Sequence, residues 1–115
     1  MIAIRPITEQ AVLDSLGAPR YGADVEGYVV TDGPSYKGYA LYRVCGSVTE
    51  VLECAVQDTA LVDGAVRACV AAGEDAGASR FTLRLEDPVL ARWGQVFVKS
   101  GAFPAANTEI FHKCQ

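Results

Sequence analysis

Four carboxylates, Glu50, Glu53, Asp58 and Asp63, stand between Val48 and Val66 with no cationic side chain among them, and Arg67 is the nearest cation. A carboxylate set in a pocket can take the proton of an attacking nucleophile, so this stretch is where general-base chemistry would be sought. Each acid also has a plainer reading. Glu50 can be a surface carboxylate paired across a hairpin with Arg43, a contact worth little in stability. Glu53, on the opposite strand face, is expected in solvent. Asp58 and Asp63 suit helix capping and the positive end of a helix dipole. His112, the single histidine, lies in the alternating run Thr108 to Lys113, as an exposed strand residue or a proton shuttle. The four cysteines, at 45, 54, 69 and 114, form no C-x-x-C pair, and one histidine cannot complete a tetrahedral zinc site, so no metal is implied. They read as reduced thiols, mostly core filler.

The elements that must position these groups follow from period and punctuation. Ile2 to Arg5 alternates and stops at Pro6, and Thr8 then stands as an N-cap before Ala11, Val12, Leu13 and Leu16, with Gly17 as the stop. Ala18 to Glu26 shows little periodicity and reads as a loop. Tyr28 to Thr31 and Gly38 to Cys45 have strand composition around the turn formers Asp32 to Ser35. Gly46-Ser47 suits a two-residue type II′ turn into a third strand. That turn makes Cys45 oppose Val48, Arg43 oppose Glu50, and Leu41 oppose Leu52.

From Asp58 the period changes to about 3.6. Val62, Val66, Cys69, Val70 and Gly73 share one helical face, with Asp58 or Thr59 as cap and Gly77 at the end. Arg80 to Leu85 is another strand. Asp87-Pro88 is an N-cap followed by proline at the first helical position, and Leu90, Trp93, Val96 and Phe97 form the apolar stripe of that helix until Ser100-Gly101. Trp93 is therefore a core residue by spacing. Thr108 to Lys113 is expected as a last strand. The order is strand, helix, three strands, helix, strand, helix, strand, an α/β chain of the α+β type forming a single domain over residues 1–115.

The balance of 10 Lys and Arg against 14 Asp and Glu leaves a net charge of -4 and no broad basic face, which argues against nucleic acid and anionic membranes as partners. No run approaches the ~20 apolar residues of a bilayer span, and the opening MIAIRPITEQ lacks signal-peptide character, so a cytoplasmic protein is expected.

Two stretches carry a resemblance to a known family. Thr49-Glu50-Val51-Leu52-Glu53-Cys54-Ala55-Val56, with the helix start Leu61-Val62-Asp63-Gly64-Ala65-Val66, is similar to the fourth strand and pyrophosphate-binding loop of the GCN5-related N-acetyltransferase (GNAT) fold. Phe97-Val98-Lys99-Ser100-Gly101-Ala102-Phe103 is similar to that family's Tyr-x-Lys-x-Gly-Phe ending, with one residue inserted. The resemblance spans about Ile2 to Lys113 and implies a mixed sheet of about six strands with about three helices. It implies acetyl-CoA as co-substrate and a small amine as acceptor.

On this resemblance, amides of Ala55, Val56 and Gln57 align the thioester in a splay between two parallel strands. Those of Val62, Asp63, Gly64, Ala65 and Val66, with Arg67 nearby, receive the pyrophosphate at a helix N-terminus. Glu50 falls where the histone-acetylating branch keeps its glutamate base. The sequence also departs from the pattern. Leu61 and Val66 replace polar and small residues of the phosphate loop, Asp63 adds a repelling charge, and Phe97 stands where a tyrosine acid is common. One of Tyr21, Tyr28, Tyr36, Tyr39 and Tyr42 could replace that acid, although such residues more often pack strands. The short segment Gly17 to Gly27 truncates the acceptor wall, which a homodimer could complete. Two functions follow: a weakened acyl-CoA-dependent N-acetyltransferase, or a non-catalytic binding or oligomerisation module that reuses the fold.

Overall fold

Six strands lie side by side in chain order, β1-β2-β3-β4-β5-β6, in a computed structural model that describes residues 1–111. They are β1 (Ile2–Pro6), β2 (Glu26–Asp32), β3 (Ser35–Cys45), β4 (Val48–Val56), β5 (Arg80–Leu83) and β6 (Ala105–Ala106). All neighbours are antiparallel except β4 and β5, which run parallel across the helical crossover α2 (Thr59–Asp75). Helix α1 (Gln10–Ser15) follows β1, and α3 (Pro88–Phe97) follows β5. The mixed sheet and three helices are the architecture expected. Among the described residues no helix is long and apolar enough to cross a membrane.

Local chemistry explains most boundaries. Pro6 closes β1, Gly33 at φ +59 turns β2 into β3, and Gly46 at φ +60 begins the tight turn into β4. Asp58 caps α2 by accepting from the Ala60 amide at 3.0 Å. The predicted face of α2 is buried throughout, from Val62 through Val66, Cys69 and Val70 to Gly73. Helix α1 starts one residue later than its sequence suggests, with Glu9 rather than Thr8 at the N-cap position and no side-chain cap. Val96, assigned to the apolar stripe of α3, is 59% exposed, because that helix buries only Leu90, Trp93 and Gly94.

Two packing layers result. One core joins α2 and α3 to Val30, Ala40, Tyr42, Val51, Cys54, Val56 and Phe81 of the sheet. A smaller cluster on the opposite face holds Leu13 of α1, Ala18, Val25, Leu41 and Leu52. The segment expected as plain loop contains a 3₁₀ turn, Ala18–Tyr21, laid over that second face.

Two departures matter for function. Cys45 opposes Val48 and Arg43 opposes Glu50 as expected, but Leu41 opposes Glu53 rather than Leu52. Leu52 is an extra residue, a β-bulge in β4. It moves every later side chain of the strand to the other face and adds local twist. The last strand is also displaced. It forms at Ala105–Ala106 against Arg80 and Phe81, while Thr108 and Glu109 belong to a 3₁₀ turn, Asn107–Glu109. Asn107, buried, holds that turn by donating to Glu74 Oε2 at 3.0 Å and the Ala78 carbonyl at 2.8 Å. Strand β5 ends at Leu83 rather than Leu85. The histidine at 112 and Cys114 lie outside the described residues.

Candidate active site

Parallel pairing between β4 and β5 runs from Val48↔Arg80 to Val51↔Leu83 and ends with the Arg84 amide donating to the Val51 carbonyl at 2.9 Å. Strand β4 continues five residues further, to Val56, without β5 beside it. All four residues of β5 are paired with β4, so the two parallel strands do not diverge as the resemblance implies: β5 ends at Leu83, and the end of β4 lies beside the start of α3 instead. Asp87 bridges the two there. One carboxylate oxygen of Asp87 caps α3 through the amides of Val89 (2.8 Å) and Leu90 (3.3 Å), and the other accepts from the Cys54 amide at 2.9 Å. Strand alternation then turns the backbone of Ala55 toward β3 and that of Val56 toward the side without a strand partner.

Beyond the bridge lies a cavity of about 400 Å³ between the end of β4 with the first turn of α2 and the flank of α3. Val56, Gln57, Thr59 and Val62 form one wall, and Val89, Arg92, Trp93 and Phe97 form the other. A larger hollow of about 630 Å³, lined by Ile7, Gln10, Leu13, Asp24, Val25 and Glu26 among others, includes no residue of β4, β5 or α3. The cavity beside the end of β4 is thus the one that adjoins the residues the resemblance assigns to the cofactor.

The candidate cofactor residues divide accordingly. Val56, Gln57 and Val62 line the cavity. Gly64 does not form a mouth: it lies five residues inside α2 against β1, where a Cβ would meet Ile4 Cδ1 at 2.8 Å. Ala65 and Val66 are completely buried in the core, so the branched side chain of Val66 faces the sheet and not a phosphate. Asp63 accepts from Arg67 Nε at 2.7 Å and Trp93 Nε1 at 2.9 Å, which ties α2 to α3. Arg67 is further engaged by the Ile110 carbonyl and lies 5.2 Å from the Phe97 ring centre, so it does not reach toward an anion. The exposed cation at the cavity is Arg92, which makes no ion pair among the described residues. Sequence reasoning passed over it because it falls just outside the apolar stripe of α3.

On the opposite face the bulge gathers a polar cluster. Glu53 is not in solvent, its side chain being only 19% exposed. It pairs with Arg20 and accepts from the hydroxyls of Tyr21 (3.2 Å) and Tyr39 (2.9 Å). Burial, then the bond to Glu53, pushes the Tyr39 phenol up to about 12, which keeps its proton in place at neutral pH. Glu50 accepts from Arg43 Nε at 3.1 Å and from the Cys45 thiol at 3.1 Å. Arg43 also donates to the Tyr21 carbonyl at 2.5 Å, which anchors the 3₁₀ turn. No periodic signal announces Arg20 and Tyr21, and the parity argument placed Glu53 on the wrong face because it could not include the bulge.

The Cys45 bond, followed by Arg43, holds the Glu50 carboxyl below its ordinary 4.5, with desolvation opposing. A lowered folded-state value stabilises the protein above the unfolded value, and this contribution is lost as pH falls through the folded value. The stability advantage of wild type over Glu50→Gln is therefore expected to persist at neutral pH and to shrink below about 4.5, as urea denaturation at several pH values would measure. Burial raises Cys54 to about 12 and Cys69 further upward, so neither thiol is a nucleophile at neutral pH.

No protein-family model and no curated protein matches this sequence. Solved structures do. An IAA acetyltransferase from Bacillus cereus superposes with TM-score 0.61 at 20% identity over 72% of this chain. This chain spans 65% of that enzyme's length. The Thermus thermophilus protein TTHA1254 matches at 27% identity with TM-score 0.58, over 82% of this chain and 85% of its own. AAC(6')-Iy, solved with a bisubstrate analogue of CoA, matches over 100% of this chain and 99% of its own at 11% identity and TM-score 0.61. The fold is that of the GNAT acetyltransferases.

Proposed function

We propose that the chain is an acyl-CoA-dependent N-acetyltransferase acting on a small amine. The observation that carries this reading is the end of β4 beyond Val51, which has no strand partner on the β5 side and borders a cavity of about 400 Å³ beside the start of α2. The likeness to enzymes named as acetyltransferases, and to one protein solved with a CoA-derived analogue, supports it. The donor set suits such a molecule. Apolar walls from Val56, Val62, Val89 and Trp93 fit a pantetheine arm, the Val56 amide faces the side without a strand partner, and Thr59 and Arg92 offer a hydroxyl and a cation to phosphate.

Acetyl-CoA, when bound, supplies an acyl group activated as a thioester. The residues of the chain bind it, orient it and handle the acceptor's proton. Glu50 is the base suggested by resemblance, but it sits where β4 still pairs with β5, opposite Thr82. Glu53 stands past the bulge, where β4 has no β5 beside it. In this reading Glu53 accepts the amine's proton, Arg20, Tyr21 and Tyr39 hold its carboxylate, and Glu50 fixes Arg43 and through it the 3₁₀ turn. In this reading a phenol from Tyr21 or Tyr39 stands in for the acid absent at Phe97.

Calorimetric titration with acetyl-CoA and the accompanying rise in melting temperature test the reading. Glu53→Gln should slow thiol release from acetyl-CoA by about 10²-fold with a panel of amines, and Glu50→Gln by much less. Absence of binding at saturating acetyl-CoA would end the enzyme interpretation.

A further inference from the structure

Three of the chain's arginines converge on one tyrosine. The guanidinium carbon of Arg20 lies 4.8 Å from the centre of the Tyr21 ring, that of Arg84 lies 5.2 Å from it, and Arg43 holds the Tyr21 carbonyl. Each of the three has a carboxylate within 4 Å, but the pairs differ in kind. Two of the three are matched by inward-held carboxylates, Arg20 by Glu53 and Arg43 by Glu50. Arg84 is different. Its nearest carboxylate is Glu86 at 3.6 Å, and the two side chains are 48% and 78% exposed, so that pair is screened by water and readily exchanged.

Arg84 also has a defined place. Its own amide makes the last bond between β5 and β4, so the residue stands where β5 ends, and stacking on Tyr21 orients its fork of donors. Tyr21 in turn reaches Glu53 through its hydroxyl. One aromatic ring therefore links a proton-accepting carboxylate to an uncommitted guanidinium, and a planar fork of this kind matches a carboxylate with two parallel hydrogen bonds.

We propose that Arg84, oriented by Tyr21, binds a carboxylate on the acceptor, so that the substrate class is an amine that also carries a carboxyl group, as amino acids do. The proposal rests on the reading that this face receives the acceptor amine. The carboxylate displaces Glu86 from Arg84, while the amine is directed to Glu53.

The test compares each of the common L-amino acids with its decarboxylated amine, using the whole chain. Binding is followed by NMR shifts without cofactor, and turnover by thiol release from acetyl-CoA. Amino acids should bind where the matched amines do not, and Arg84→Gln should raise their KM at least about tenfold, the loss of a charged hydrogen-bond pair. Their kcat and all values for the amines should stay level, with Arg84→Lys intermediate. Equal binding of both sets, no binding of either, or an Arg84→Gln effect on both overturns the proposal. Amino-acid binding that depends on Arg84 without any acetyl-CoA binding would leave this subsite standing and remove the acetyltransferase. Turnover indifferent to the carboxyl group would do the reverse.

Discussion

Gly73→Ala is expected to destabilise the protein by about 3 kcal/mol or more, lowering the melting temperature by at least about 12 °C. Gly73 lies on the buried face of α2 and meets β4 directly. A Cβ there would fall 1.6 Å from Thr49 Oγ1 and 2.8 Å from Thr49 Cβ. Both atoms belong to a fully buried residue, so nothing flexible can yield. The helix would have to lift from the sheet, with loss of contact along Val66, Cys69 and Val70. The close approach has a cost of its own, since Thr49 Oγ1 is buried without a hydrogen-bond partner among the described residues. Thermal and urea denaturation would measure the effect. Thr49→Ala in the Gly73→Ala background should recover part of the loss, because it removes the 1.6 Å overlap and leaves the 2.8 Å one. Full stability in Gly73→Ala alone would show that α2 does not sit this close to β4.

Asp87→Ala should cost about 2 to 4 kcal/mol through two separable losses. The first is the N-cap of α3, worth about 1 kcal/mol. The second is the acceptor for the Cys54 amide, which would be left buried and unpaired at about 1 to 3 kcal/mol. Asp87→Asn distinguishes them. Asparagine caps about as well as aspartate, but its single carbonyl oxygen cannot serve both α3 and Cys54, so only the bridge is lost. Amide exchange at Cys54 should accelerate in both variants, and exchange in the first turn of α3 only in Asp87→Ala. Because this bridge fixes α3 against the free end of β4, the wall formed by Val89, Trp93 and Phe97 depends on it. Acetyl-CoA affinity should fall at least about tenfold in Asp87→Ala. Unchanged exchange at Cys54 would mean that the bridge does not form.

Asp87 shows how far local reading extends. Its sequence neighbourhood, Asp followed by Pro, predicts the cap of α3, and the cap is there. Nothing in that neighbourhood predicts the bond to Cys54, 33 residues away. The same division holds for Arg67, which looked available to an anion by its place on α2 and is instead held by Asp63, two aromatic rings and the Ile110 carbonyl.

From the chain alone follow the order of strands and helices, the buried face of α2, the caps at Asp58 and Asp87, and the opposition of Arg43 to Glu50 across a two-residue turn. Each depends on side-chain period or on turn chemistry within a few residues. Tertiary structure decided the bulge at Leu52, and with it the face on which Glu53 stands, the gathering of Arg20, Tyr21 and Arg84, and the placing of the last strand at Ala105–Ala106. These depend on what a residue meets across the fold. An inserted strand residue reverses the alternation of all that follow, and a segment without period takes its position from the surface it covers.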